Sequence, residues 1–534
     1  MPPSIVTSKL DLTPYKGIWD FAAVKHLLQR TMFGAANSDI QYFLTKDLKT
    51  TIDELLNPIN NSVNPPLNDY TTTTVLDPNV KIGTTWINDP TNDGTLNSYR
   101  RASFKKWWVG QMINQDRSIK EKMSLFWANH FGTEVATISI SHYVYQHHSL
   151  LRNFCLGNFK QLVKLVTVDA GMLRYLNGYL NTNTSPDENY GRELQELFTI
   201  GKDTEIRYTE DDVKAAAKVL TGWRINSSFQ VYFDATKHDT SNKQFSTFYN
   251  NKTITGKTGS NGQLETDDLL DMIFSKTEAA KYICRKIYRW FVFYQIDADV
   301  EKNIITPLSS LFIQSNFEIK PVLKALLSSE HFFDVQNRGA QIKSPMDHAI
   351  GCIRQFNITF PDANNNYVDA YSLFNSIVSQ LISFGQDPGE PPNVAGWQAY
   401  YQTPDFYELW INADTLPKRN KLTDLLVNTG YTKNTSKVII DSIKFVKEIC
   451  ADPSDPNLLV NTLFSYLLST DVLDTTKQNL KKQILLSGQA SDYYWTEAWN
   501  SYQTSPTTIN LNIVTSRLKA LLKYILNTPD YQLA

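Results

Sequence analysis

Residues 185–201, SPDENYGRELQELFTIG, decide the reading of this chain, because they place three glutamates and an arginine between helical start and stop signals. Ser185 suits an N-cap, Pro186 the first helical position, Glu188 the closing position of a capping box, and Gly201 the stop. At about 100° per residue, Tyr190, Leu194, Leu197 and Phe198 form one apolar face, while Glu188, Arg192, Gln195 and Glu196 line the opposite side. Glu193 belongs to neither. It stands at the edge of the apolar face, where a carboxylate is partly desolvated. Desolvation raises a carboxyl pKa toward the range useful for acid or base catalysis, and a nearby arginine or metal restores the charged form. Two readings stand side by side. In one, Glu193 does chemistry. In the other, Glu188, Arg192 and Glu196 form a solvated ion ladder at four-residue steps, and Glu193 bonds a neighbouring helix.

The same helical period runs outward in both directions, which predicts a mainly α fold. Phe21–Ala35 reads as a helix ending near Gly34, and Ser38–Leu56 as two short helices. Ser118–Gly132 opens with a second capping box, Ser118 and Glu121, and aligns Met123, Phe126, Trp127 and His130 on one buried stripe. Tyr143–Phe154, Asn158–Leu176 and Thr209–Trp223 continue the series, the last capped by Thr209 with Asp211 and Asp212 at the positive helix end. Residues 229–262 hold the one expected β-hairpin. Residues 57–97, rich in Asn, Thr, Pro and Asp, read as an irregular surface excursion, and Gln386–Trp397 as a rigid proline-rich turn. The expected organisation is an N-terminal extension (1–20), a helical body (21–419) and a C-terminal helical subdomain packed on it (420–534).

Composition narrows the function. A 534-residue chain with 42% hydrophobic residues and a formal net charge of -2 lacks the basic excess of a general nucleic-acid binder. No segment offers 18 uncharged apolar residues, so no transmembrane span is expected. The N-terminus lacks the basic start and apolar run of a signal peptide, which makes the cytoplasm the default expectation and leaves a cleaved export signal open. Cys155, Cys284, Cys352 and Cys450 are far apart and show no metal-binding spacing. HExxH, CxxC, GxSxG, Walker A and dinucleotide fingerprints are missing in their required contexts.

His130 on an apolar stripe reads either as a metal ligand or general base, or as a core histidine bonded to a carbonyl. FDATKHDTSNK places Asp234, His238, Asp239 and Lys243 in a polar loop downstream of the glutamate helix, which either closes over a site or is simply solvated. His130, Glu193, Glu196 and His238 have the donor types of a divalent metal site, provided their elements converge. Glu193 and Glu196 share one helix, unlike the facing carboxylates of glycosidases, so a second carboxylate from Asp211, Asp212 or Asp239 is needed for that chemistry.

EKMSLFWANHF, LLRNFCLGNFKQLVKLVTVDAGMLRYLNG, DENYGRELQELFTIG, YTEDDVKAAAKVLTGW, KHDTSNKQF, KSPMDHAIG and PPNVAGW, in this order, resemble the blocks of the bacterial family named domain of unknown function 1800. The resemblance runs from about Phe21 to Arg419, and LNTPDYQL resembles the family's end. The family's helix usually reads NENYARELLEL, so Asp187 and Gly191 depart from it. The resemblance implies shared polar positions at His130, Glu188, Asn189, Arg192, Glu193, Glu196, Tyr208, Glu210, Trp223, His238, Asp239 and Trp397. It also implies an alternative role, since members are often encoded beside proteins that look like sulfatases or alkaline phosphatases: an accessory or maturation partner. Many members carry an export signal. The expectation is therefore a hydrolase-like or metal-assisted enzyme with catalytic Glu193, Glu196, Arg192 and His130, and with His238, Asp239, Asn189, Trp223 and Trp397 around the substrate.

Overall fold

Apolar residues recurring at three and four positions build helices along the chain, and 58% of it is helical, so the fold is mainly α. The computed structural model describes residues 10–58, 63–202, 208–401 and 407–534. Residues 1–9 of the N-terminal extension and 59–62 of the long excursion lie outside them. Among the described residues the strands form three two-stranded antiparallel hairpins, not one. The first begins upstream of the expected segment, with Trp223 opposite Phe233, and the second pairs Lys243–Gln244 with Thr253–Ile254. The third pairs Tyr431–Lys433 with Ser436–Val438 around Asn434 at φ 51°, a left-handed conformation that asparagine tolerates.

Caps follow local chemistry only where no stronger partner competes. The Glu210–Val219 helix carries the expected box between Thr209 and Asp212. The Lys120–His130 helix has no side-chain cap. Ser118 Oγ donates to Asp116 at 2.6 Å, and Glu121 accepts from Arg152 Nε at 2.8 Å, a charge-assisted bond stronger than a cap.

The Lys120–His130 helix is almost wholly buried; the excursion expected at the surface packs on the neighbouring Gly94–Ile113 helix, and the proline-rich turn packs on the end of Lys120–His130. Between residues 63 and 93 the excursion is irregular, yet Trp86 and Asn68 in it are buried, and Asp77 pairs with the buried Arg100 at 2.8 Å. The Gln386–Trp397 turn folds over the helix end, with Trp397 N donating to Asn129 Oδ1 at 2.9 Å. Gly396 makes that approach feasible: it sits at φ 95°, and a Cβ there would collide with Asn129. One hydrophobic core includes residues from Ala23 to Tyr531, so the C-terminal helices share it with the body. No helix of the described residues is long and apolar enough to cross a membrane.

Candidate functional site

The glutamate helix starts later than its sequence signals suggest. Its α-helical part is Asn189–Glu193, Asp187 Oδ1 accepts from Asn189 N at 2.8 Å, and Ser185 is bridged back to Thr182. From Leu194 to Thr199 the helix widens to π geometry, a form often met at functional sites. The wider turn corrects the helical wheel. Gln195, expected on the polar side, is fully buried, with its Nε2 donating to Gly191 O at 3.0 Å and its Oε1 accepting from Tyr249 at 2.7 Å. At the far end, Leu197 O accepts from Tyr282 Oη at 3.0 Å, and Phe198 O accepts from His130 Nε2 at 3.1 Å. The start packs tightly on Glu210–Val219, since a Cβ at Gly191 would lie 3.2 Å from Ala217 N.

Arg192 anchors the carboxylates around it. It holds both oxygens of Glu210 at 2.8 and 2.7 Å, Glu188 at 3.1 Å and Glu196 at 3.8 Å, while Lys202 takes Glu196 at 2.9 Å. The ion ladder of the second reading therefore exists, and Glu210 extends it. Glu193 stands outside it. The side chain is half-buried and makes no hydrogen bond or ion pair with any described residue. Burial raises its pKa and Glu196 raises it further, against the opposing pull of Lys202 and Arg192. Two phenols lie within reach of its charge. Tyr175, donating to Glu134 at 3.3 Å, and Tyr208 are kept protonated, first by burial and then by carboxylates that include Glu193.

The histidines are committed elsewhere. His130 is 1% exposed, and because its Nε2 donates to Phe198 O, its Nδ1 accepts from Lys286 Nζ at 3.2 Å. Burial and then Lys286 hold His130 well below its usual pKa, and burial and then Arg289 bring Lys286 down to about 7. His238 bonds Thr221 O through Nδ1 at 3.0 Å and Glu265 Oε1 through Nε2 at 3.0 Å. Glu265 also accepts from Lys243 Nζ and Lys257 N, both at 2.6 Å. Asp239 serves the same cluster's loop by accepting from Ser241 N at 2.8 Å. The expected metal set of His130, Glu193, Glu196 and His238 is thus not assembled, because both imidazoles have other partners. Among the described residues, no three His, Cys, Asp or Glu are grouped to hold a metal ion.

The expected substrate residues scatter in the same way. Asn189 is exposed and donates to Leu176 O at 3.4 Å. Trp223 donates to Thr266 Oγ1 at 3.3 Å and lines a cavity of about 10 Å³, at most one water in size. Trp397 is buried against Asn129. Asp212 is fully buried, bonded to Thr209 and Ser246. Glu265 and Lys286 escaped the sequence reading, since nothing local marks a charged residue whose partner comes from another element.

The elements that carry this arrangement are the ones whose sequences form the recurring blocks. No curated protein and no solved structure matches the chain. A family model described as protein of unknown function (DUF1800) matches residues 26–533, well past Arg419 where the internal blocks end. With nearly its whole length matched, the chain belongs to the DUF1800 family.

Proposed function

We propose that the protein is an enzyme in which Glu193 moves the proton, with a hydrolase-like reaction as the chemistry. The observation that carries this reading is a half-buried carboxylate with a raised pKa and no described partner, on a helix whose other glutamates are ion-paired. A carboxyl poised nearer neutrality can accept a proton from an attacking water and return it to a leaving group. Arg192 and Lys202 hold Glu196 in place, and Glu196 supplies the like charge that raises Glu193. Tyr208, held protonated, is a hydrogen-bond donor near it, while Tyr175 gives its proton to Glu134.

The accessory role beside a sulfatase-like protein asks for aromatic anchors exposed on the excursion and on the proline-rich turn. Trp86 is 1% exposed and Trp397 3%, so neither tryptophan is offered to a partner as a surface anchor. The test is turnover by wild type and Glu193→Gln on ester, phosphoester, sulfate ester and glycoside panels. Loss of roughly 10²–10⁴-fold in the folded variant is expected. Equal turnover by both, or retention of a sulfatase-like partner by both with no turnover in either, removes the proposal.

A further inference from the structure

A cleft of about 410 Å³ opens where the Phe21–Thr31 helix meets the end of the Pro456–Leu467 helix, a volume in the range of pockets that hold small molecules. Lys25 and Arg338 stand on its wall, and Asp471 is the one carboxylate among the described wall residues. Lys25 is 7% exposed, and its Nζ donates to the carbonyls of Ser465 and Leu468 at the helix end. Those two bonds use both hydrogens of a neutral amine. Among the described residues, the third hydrogen of an ammonium would find only the Phe21 ring, 5.9 Å from Nζ. Burial, then Lys343 and Arg338, bring Lys25 down to about 7 against the opposing pull of Asp471. A desolvated amine beside other cations keeps its lone pair near neutrality, which makes a lysine nucleophilic toward carbonyl carbon. Arg338 Nε, buried on the same wall, has no hydrogen-bond partner. It calls for an acceptor, and a carboxylate forms the stronger, charge-assisted bond.

We propose that this cleft takes a small oxo acid, whose ketone or aldehyde carbon forms an imine with Lys25 while its carboxylate meets Arg338. The ammonium first passes one proton to Asp471. The freed lone pair then bonds the carbonyl carbon, and the C=O π pair moves to the oxygen. That oxygen takes the proton from Asp471 and a second from the nitrogen, and it leaves as water while the C=N bond forms. The nitrogen keeps one hydrogen and the positive charge, so the iminium still donates to one of the two carbonyls. The cleft shares no residue with the glutamate helix, so this inference stands apart from the reaction proposed for Glu193.

The test incubates the full chain with pyruvate and sodium cyanoborohydride, which reduces an imine to a stable secondary amine, and locates the labelled lysines by peptide mass spectrometry. Acetone, a ketone without a carboxylate, is the control. Lys25 is expected to take up pyruvate at least about tenfold faster than the exposed lysines, at a rate that climbs with pH through about 7. The ratio of pyruvate to acetone labelling is expected to be at least about tenfold higher at Lys25 than at those lysines. Arg338→Gln keeps the amine and removes the guanidinium, so it is expected to bring the Lys25 ratio down to theirs. Taking the ratio cancels any change in the protonation of the amine. Labelling of Lys25 no faster than that of exposed lysines overturns the proposal. So does a folded Arg338→Gln variant that keeps the wild-type ratio.

Discussion

At Glu193 a carboxylate is half-buried beside Glu196, whereas Glu265 is fully buried beside Lys243, His238 and the Lys257 amide. Burial raises both pKa values, but the hydrogen bonds to Glu265 reverse the outcome there and leave it lowered. The signs of the pH effects are therefore opposite. A raised pKa means the folded state holds the Glu193 proton more firmly than the unfolded state, so a penalty exists above the folded pKa and fades on acidification. Glu193→Gln should then keep or raise Tm at pH 7, and the difference should vanish near pH 4 in calorimetry. A clear loss of Tm at pH 7 would make Glu193 a structural ion-pair partner instead. For Glu265 the stabilisation is present above the ordinary glutamate range and is lost as pH falls through the lowered folded value. Glu265→Gln at neutral pH leaves the buried Lys243 with only the Asp239 carboxylate, 3.9 Å away, as counterion, at an expected cost of about 3–5 kcal/mol in denaturant melts. An unchanged melt would show that Lys243 finds another partner. His130 on the buried stripe was legible from its spacing to Phe126 and Trp127. Lys286, its partner 156 positions along the chain, was not.

The glutamate helix shows the same division at the scale of an element. The Thr209 and Asp212 box was readable because both groups lie within one turn. Ser185, with the same local credentials, does not start a helix, because the 182–185 bridge holds it and Lys237 O accepts from the neighbouring Asn183 N at 2.8 Å. The π turn had no signature in the sequence. Its carbonyls and Gln195 are bonded by Tyr282, His130 and Tyr249, which come from three other segments. Gly191 sets how closely this helix lies on Glu210–Val219, with Val213 O 3.3 Å from where a Cβ would stand. Gly191→Val is expected to force the two helices apart, costing about 1–3 kcal/mol, and to displace Arg192 from Glu210 with loss of activity. Full stability in a urea melt would mean that the contact has slack.

Across the whole molecule, the last residues close the core rather than trail from it. Tyr531 is 1% exposed and Gln532 2%; the first takes Lys343 on its carbonyl and the second takes Arg419 Nη1 at 3.1 Å. Deleting residues 529–534 empties an aromatic-sized space and strips partners from two buried cations. The expected loss is at least about 3–5 kcal/mol, visible as a collapsed soluble yield and a lowered Tm. A truncated chain that melts like the full one would show the body to be self-sufficient. Composition and the helical period determined the mainly α class, the burial of the Met123, Phe126, Trp127 and His130 stripe, the cap of Glu210–Val219 and the blocks of the DUF1800 family, because each is a property of composition, of neighbours within a few turns or of the residue string itself. Tertiary structure alone decided that Glu193 has no partner among the described residues while Glu196 has two, and that His238 turns to Glu265. Charges find partners in space, across chain separations over which sequence spacing carries no information, and burial then fixes what each pairing is worth.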